Sequence, residues 1–246
     1  MSLIQVQGVR KVYRMDDEKI VALGSVSLSI EEGEICCILG TSGSGKSTLL
    51  NIMAGLEKPS RGRISIAGAD VTHFSEKQWA LFRQRNIGFV FQSYNLLPTL
   101  TAIENVAMPL VFRGVNKGKR TQEAIRMLRA VGLGSRMSHK PTQMSGGQQQ
   151  RVGIARAFVS RPKIIFADEP TGNLDSRTSR EVMNIMVGMA RRYQETLIVV
   201  THDRDIAKFA DRVIEIHDGY VKHDSRLWEA QVVTEQNPAE ERKAEA

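Results

Sequence analysis

One glycine-rich loop constrains this chain more than any other segment. Residues 40–48 read GTSGSGKST and fit the pattern G-x-x-x-x-G-K-[ST]. The apolar run EICCILG before the loop predicts a fully buried strand, and GKSTLLNIMAGL after it predicts a helix ended by Pro59. In that setting backbone N–H groups can surround phosphate oxygens, Lys46 can reach the β- and γ-phosphates, and the Ser47 hydroxyl can bind Mg²⁺. The predicted nucleotide-binding residues are Gly40, Thr41, Ser42, Gly43, Ser44, Gly45, Lys46, Ser47 and Thr48.

The order of apolar segments predicts an α/β fold. Two further short apolar runs, IIFAD and TLIVV, alternate with helical segments, which is typical of a mostly parallel sheet covered on both faces. The first thirty residues alternate apolar and polar positions and predict antiparallel strands with a turn at MDDEK, and RVIEIHDGYVK predicts a terminal hairpin. Strand signals are missing from residues 93–160, which predicts a helical insertion. We expect one domain over residues 1–223 and a charged tail over residues 224–246.

Composition limits the class of protein without identifying a partner. The net charge of +7 is compatible with nucleic acid, an anionic membrane surface or phosphates, but the basic residues are scattered, which favours a solvated face. No apolar run approaches the roughly 18 residues of a membrane helix, and no leader-type block opens the sequence, so we expect a soluble chain. Cys36 and Cys37 are neighbours that point to opposite faces of a strand, so they are poorly placed to pair with each other, and two cysteines exclude a disulfide framework.

Polar residues at the ends of apolar strands supply candidates for metal binding and water activation. Asp168 ends IIFAD at the edge where α/β sheets bind ligands, so it can hold Mg²⁺, and Glu169 can orient or deprotonate the attacking water. Gln92 can touch the metal or the water and His202 can bond the γ-phosphate, although either residue alone would more often be structural. Tyr13, in the first hairpin, can stack on adenine or pack on the sheet.

A second glycine segment, MSGGQQQR, raises the question of a second phosphate site. Ser145 and Gln148 have the spacing of a capping box, so the two can simply cap their own helix. Two adjacent glycines are entropically costly and favour a close approach of backbone to a ligand. Because the segment lies at the tip of the predicted insertion, we expect it to reach the nucleotide of a second copy of the chain under two-fold symmetry. The residues of this segment are Ser145, Gly146, Gly147 and Gln148.

The motif order resembles that of ABC-type ATPase subunits up to about residue 222. The sequence carries the P-loop, FQ, MSGGQQQR, IIFADEP, GNLD and VTHD in turn, with Met144 where the family usually has leucine. This resemblance implies a RecA-like P-loop NTPase fold with an N-terminal antiparallel β subdomain. It also implies that residues 40–48 are the Walker A loop, residues 145–148 the signature, and Asp175 part of the dimer-contacting D-loop. By the same resemblance, Gln92, Asp168, Glu169 and His202 are the Q-loop glutamine, the Walker B aspartate, the catalytic base and the switch histidine.

Finer features resemble the MacB, LolD and FtsE subgroup. DEPTGNLD and ENVAMPL carry this likeness, which implies ATP and Mg²⁺ as ligands, a homodimer, and attachment to a permease at the cytoplasmic face of the membrane. Residues 95–115 would then line the groove for a permease helix. An FtsE-like regulator of cell division stays open as an alternative. A DNA-associated ABC ATPase is disfavoured because only about a hundred residues separate the P-loop from the signature, with no heptads and no CxxC, so no nucleic acid is expected.

Overall fold

The computed structural model describes residues 2–15 and 18–226 and arranges them around two sheets. Within these residues the strands are β1 Ser2–Met15, β2 Glu18–Glu31, β3 Ile35–Leu39, β4 Arg61–Ile66, β5 Ala69–Asp70, β6 Ile87–Phe91, β7 Ile164–Asp168, β8 Thr196–Thr201, β9 Arg212–His217 and β10 Tyr220–Arg226. The helices are α1 Lys46–Met53, α2 Glu76–Asn86, α3 Ala102–Phe112, α4 Lys117–Ala130, α5 Gly146–Phe158, α6 Ser176–Tyr193 and α7 Arg204–Ala207, with a 3₁₀ turn at Pro141–Gln143.

The predicted mostly parallel sheet is confirmed. Its order is β10-β9-β3-β8-β7-β6, and the five strands from β9 to β6 all run parallel, while β10 pairs antiparallel with β9. The glycine-rich loop follows β3, which lies between β8 and β9. Because parallel strands end at the same edge, the loops after β3, β6, β7, β8 and β9 meet there.

The predicted N-terminal antiparallel subdomain is also confirmed, as a sheet of order β2-β1-β4-β5. Val6 lies opposite Leu28 on one side and Ile64 on the other, so the alternating apolar positions share one buried face. The tip of the turn predicted at MDDEK, residues 16 and 17, lies outside the described residues.

Two apolar cores cover the two faces of the parallel sheet. One core joins Cys37 to helices α3–α6, and the other joins Cys36 to the antiparallel sheet, α1 and α2. The neighbouring cysteines therefore point to opposite faces, as predicted, and both are free thiols. Among the described residues, no helix combines the length and apolarity needed to cross a membrane.

Helix α1 is shorter than predicted, since it ends at Met53 and not near Pro59. Gly55 follows in the left-handed region with φ of 66°, and a Cβ on it would overlap the ring of Trp79. The end of the helix is thus determined by packing against α2, which the local sequence does not reveal. In the sheet, β10 runs to Arg226, where Asp224 accepts two hydrogen bonds at 2.6 Å from the guanidinium of Arg212.

The described part of residues 93–160 contains helices and no strand. Helix α5 packs against α3 and α4 and also against β6, so it connects this helical region to the parallel sheet. The domain limits predicted from the sequence stay predictions.

Candidate active site

A cavity of about 780 Å³ lies at the carboxyl edge of the parallel sheet. The loops that follow β3, β6, β7 and β8 contribute to its wall, together with the end of β9. The predicted residues that line it are Gly40, Thr41, Ser42, Gly43, Gly45, Lys46, Ser47, Thr48, Gln92, Glu169 and His202. Residues that the sequence did not single out line it as well, among them Ala22, Arg204, Glu215, His217 and Lys222. His217 is the last residue of β9, and the parallel pairing of β9 with β3 places it at this edge.

Two glycines of the loop are required by its conformation and packing. Gly45 has φ of 98°, and a Cβ on it would overlap the carbonyl oxygen of Ala22. A Cβ on Gly40 would overlap the carbonyl oxygen of Ile216. The buried Ser44 hydroxyl has no hydrogen-bond partner among the described residues. Close packing against Ala22 and Ile216 therefore requires glycine at both positions, and the Ser44 hydroxyl inside the loop is free to bind a ligand.

Helix α1 begins in this loop without a side-chain cap, because its N-cap is Gly45. In the same chain, Ser75, Ser145 and Asp175 cap helices α2, α5 and α6 with their own side-chain oxygens. The first N–H groups of α1 are thus left without a side-chain acceptor, and such a helix start favours an anion.

Lys46 is a cation of this cavity that is only 6% exposed. Its Nζ donates a hydrogen bond of 2.7 Å to the carbonyl oxygen of Thr41. Burial lowers the pKa of Lys46, and the nearby carboxylates of Glu169 and Asp168 act in the opposite direction. A phosphate at the loop would add a counter-charge for the buried ammonium group.

Ser47 and Asp168 meet at the base of the loop, where the Ser47 hydroxyl donates to Asp168 Oδ1 over 3.1 Å. The pKa of Asp168 is raised, mainly by burial and to a smaller extent by the charge of Glu169. The Ser47 hydrogen bond and the charge of Lys46 act in the opposite direction. A hydroxyl beside a carboxylate fits Mg²⁺, which usually takes one or two carboxylates, water and substrate phosphates. The described residues hold no cluster of three or more His, Cys, Asp or Glu suited to a metal ion.

Glu169 lines the cavity, and its carboxylate contacts two residues at the end of β8. Its Oε1 lies 2.9 Å from His202 Nδ1, and its Oε2 accepts a hydrogen bond of 3.2 Å from the Thr201 hydroxyl. Its φ of 45° lies in the left-handed region, and strained backbone of this kind is often found at functional sites. The structure therefore brings Glu169 and His202 together, and Thr201 is a contributor that the sequence analysis missed.

Gln92 faces the segment that joins β7 to α6. Its Nε2 donates to Asn173 Oδ1 over 3.5 Å, and Asn173 Nδ2 donates to the Gln92 carbonyl oxygen over 3.1 Å. A Cβ on Gly172 would lie 2.8 Å from Gln92 Nε2, so glycine leaves room for the amide. Gln92 thus links the cavity to the segment that leads into Asp175.

Tyr13 does not line the cavity. Its hydroxyl donates to Glu57 Oε2 over 2.5 Å, and Lys11 Nζ lies 4.9 Å from its ring centroid. Burial and the hydrogen bond to Glu57 raise the pKa of Tyr13, while a hydrogen bond with Thr48 lowers it. Tyr13 therefore lies beside the P-loop, and stacking on adenine stays a prediction.

The second glycine segment also lies outside the cavity lining. The capping box considered in the sequence analysis is confirmed: Gln148 N donates to Ser145 Oγ over 3.4 Å, and Ser145 N donates to Gln148 Oε1 over 3.1 Å. Gly146 and Gly147 are also explained locally, because a Cβ would lie 2.7 Å from Tyr94 Oη on the first and 2.6 Å from Thr178 Cγ2 on the second.

Asp175 lies outside the cavity lining as well, and its carboxylate caps α6. The roles of Ser145, Gly146, Gly147, Gln148 and Asp175 toward a partner's nucleotide are not tested by these contacts.

Comparison with known proteins agrees with this geometry. A family model described as "ABC transporter" matches residues 23–172. The ABC transporter ATP-binding protein YtrE of Bacillus subtilis is 48% identical over 84% of this chain and 89% of its own length. The macrolide export ATP-binding/permease protein MacB of Rhodopirellula baltica is 44% identical over 91% of this chain, which spans only 33% of that relative. A dimeric post-hydrolysis structure of the cassette MJ0796, bound to ADP and Pi, superimposes with a TM-score of 0.84 at 42% identity, covering 91% of this chain and 98% of that one.

Proposed function

The chain belongs to the ABC transporter family of ATPases, and from this membership we propose that it is an ATP-hydrolysing subunit that dimerises on ATP and drives a membrane permease of MacB or LolD type. The single observation that carries the proposal is the convergence of Lys46, Ser47, Asp168, Glu169 and His202 at one edge of the sheet. Each of these side chains has a role in hydrolysis that its contacts support.

Lys46 and the N–H groups at the start of α1 bind the β- and γ-phosphates. Ser47 and Asp168 would hold Mg²⁺, which would offset the charge of those phosphates. Glu169 accepts a proton from the water whose oxygen bonds to the γ-phosphorus, while the bond from that phosphorus to the bridging oxygen breaks and ADP leaves. Through its contact of 2.9 Å, His202 orients the Glu169 carboxylate.

Dimerisation accounts for residues that lie outside the cavity of their own chain. Ser145 is exposed and residues 146–148 are half-buried at the start of α5, and the similar cassette MJ0796 is described as dimeric and bound to ADP and Pi. Under two-fold symmetry each chain can present this helix start, with the N–H groups of Gly146 and Gly147, to the nucleotide of the other. Asp175 lies at the start of α6 and would contact the partner in the same interface.

A complementation test separates this arrangement from a site within one chain. Lys46→Ala removes the side chain that binds the phosphates. Ser145→Arg blocks the start of α5 but leaves ATP binding intact. Each variant alone should therefore be inactive. In a 1:1 mixture half of the dimers are mixed and carry one complete site of two, which predicts about one quarter of wild-type ATPase activity. Activity that stays at zero in the mixture, or a fully active Ser145→Arg monomer, would contradict the model.

An apolar groove supports the permease as a partner. This groove of about 630 Å³ is lined by Leu56, Phe89, Phe91, Met108, Pro109 and Phe112, among others, and Phe112 is 70% exposed. Exposed apolar surface of this kind marks an interaction site. The relative MacB is named an ATP-binding/permease protein, and this chain matches one third of it. A permease on a separate chain would place this subunit at the cytoplasmic face of the membrane.

Membrane attachment can be tested with Phe112→Asp. The charge should abolish co-sedimentation with inside-out membranes of the source cell, whereas Tyr220→Asp, at an exposed aromatic outside the groove, should retain it. Loss of wild-type binding after protease treatment of the membranes would show that a membrane protein is the receptor. Equal binding of both variants would exclude the groove as the attachment site.

A further inference from the structure

A basic cavity lies at the opposite edge of the parallel sheet from the nucleotide site. Its volume is about 400 Å³, and it lies where α4 and α6 end and where the chain enters β7 and β8. No residue of this cavity lines the nucleotide cavity. It is lined by Arg126, Arg129, Ala130, Arg161, Arg192 and Tyr193.

Two of the arginines share one aromatic ring. The guanidinium carbon of Arg161 lies 3.2 Å from the Tyr193 ring centroid, and that of Arg192 lies 5.7 Å from it. The ring attracts each cation, but the two like charges repel one another. Arg161 is also held with φ of 52°, an uncommon backbone conformation for a residue with a side chain.

Carboxylates compensate this charge only in part. Arg126 pairs with Glu123, whereas Arg129, Arg161 and Arg192 have no ion pair in the part of the chain that the structure describes. Arg129 and Arg192 lie in the last turns of their helices, where each helix end contributes roughly half a negative unit charge. Four arginines against one carboxylate and two such helix ends leave a net positive charge of about two units.

The buried carboxyl group of Glu195, which interacts with Arg161, does not cancel the remaining positive charge of the cavity at neutral pH. Glu195 is 4% exposed, and neither of its carboxyl oxygens has a hydrogen-bond partner among the described residues. Burial raises the pKa of Glu195 to about 8, against the opposing charge of Arg161. Glu195 is therefore mainly protonated near pH 7 and leaves Arg161 without a counter-charge.

We propose that this arginine cavity binds a phosphate group, carried either by an anionic phospholipid or by a soluble phosphorylated molecule. Guanidinium groups match phosphate oxygens with paired N–H donors, which a lysine ammonium cannot do. The site is distinct from the P-loop and does not depend on hydrolysis. Arg161 directly follows Ser160, which lines the apolar groove, so a headgroup bound here would lie next to that groove.

Two probes distinguish the sources of the phosphate. The first is co-sedimentation with phosphatidylcholine vesicles with and without phosphatidylglycerol. The second is calorimetric titration with pyrophosphate, with ADP present at saturation to occupy the P-loop. Binding to the anionic vesicles alone identifies a headgroup site, and binding of pyrophosphate alone identifies a site for a soluble ligand. Binding of both identifies a site that takes phosphate from either source.

Matched variants test whether the cavity itself is responsible. Arg161→Gln/Arg192→Gln should weaken binding about tenfold or more, because charge-assisted hydrogen bonds are lost. Arg10→Gln/Arg61→Gln removes the same charge from another basic surface and should weaken it less than about twofold, since distant charges are screened by salt.

The conservative variant Arg161→Lys/Arg192→Lys should bind the probes with an affinity between that of the wild type and that of Arg161→Gln/Arg192→Gln. Thermal unfolding checks that it is folded. An equal loss in both Gln pairs, or no wild-type binding to either probe, overturns the proposal.

Discussion

Two pairs of substitutions test why the signature segment contains adjacent glycines. Neither Gly146 nor Gly147 has a positive φ, so an alanine at either position meets no backbone strain. Gly146→Ala would place its Cβ 2.7 Å from Tyr94 Oη, and Gly147→Ala would place its Cβ 2.6 Å from Thr178 Cγ2. Each contact is too close, so a neighbouring side chain has to move.

The expected magnitude follows from two opposing effects. Overpacking costs about 1–3 kcal/mol, whereas alanine in place of glycine within a helix gains up to about 1 kcal/mol. Tyr94→Phe removes the overlapping oxygen and leaves the nearest ring carbon at an ordinary 3.6 Å from the new Cβ. Thr178→Ser removes the methyl group and keeps the hydroxyl that donates to Asp175 Oδ2 over 2.6 Å. Each matched pair should therefore recover about 1–2 kcal/mol.

The assay is urea unfolding of the single, matched and crossed double variants. The matched pairs Gly146→Ala/Tyr94→Phe and Gly147→Ala/Thr178→Ser should be rescued, while the crossed pairs should not. Matched and crossed pairs of equal stability would refute the packing explanation. ATPase activity provides a second result: matched pairs that are stable but inactive would indicate that the glycines also serve the nucleotide of the partner chain.

Two further variants test the buried side chains of Lys46 and Glu195. Lys46→Ala should abolish measurable ATP binding in a fluorescent-nucleotide titration while leaving the unfolding midpoint nearly unchanged, and normal affinity would remove Lys46 from the site. Glu195 has a raised pKa, about 8, in the folded chain, so folding stability should fall as pH rises from about 4.5 to 8. Glu195→Gln should flatten this dependence and raise the free energy of unfolding by about 2 kcal/mol at pH 8, after a discount for solvent screening of the carboxyl group; an unchanged pH profile would contradict the buried-carboxyl assignment.

Site residues could be predicted from the sequence where the pattern that identifies them is formed by neighbouring residues. The P-loop could be predicted because its residues are consecutive, and Gln92, Glu169 and His202 could be predicted because parallel strands end at one edge. The capping box at Ser145 is equally local.

Contacts between distant segments were not predictable. The end of α1 depends on Gly55 packing against Trp79, and the approach of Tyr94 to Gly146 joins residues more than fifty positions apart. His217 and Lys222 reach the cavity through the pairing of β9 with β3 and β10, which the hairpin pattern alone does not specify.

The role of Glu169 is the central claim, and Glu169→Gln tests it most directly. Glutamine keeps the size of the side chain but cannot accept the proton, so turnover should fall about 10²–10⁴-fold. ATP binding should survive, because Lys46 and Ser47 remain.

The decisive measurement is size-exclusion chromatography of Glu169→Gln with Mg-ATP, beside His202→Ala and the wild type. The account predicts that Glu169→Gln elutes as a stable ATP-bound dimer with almost no hydrolysis. A Glu169→Gln chain that stays monomeric and hydrolyses ATP within a few-fold of the wild-type rate, while His202→Ala is inactive, would contradict it.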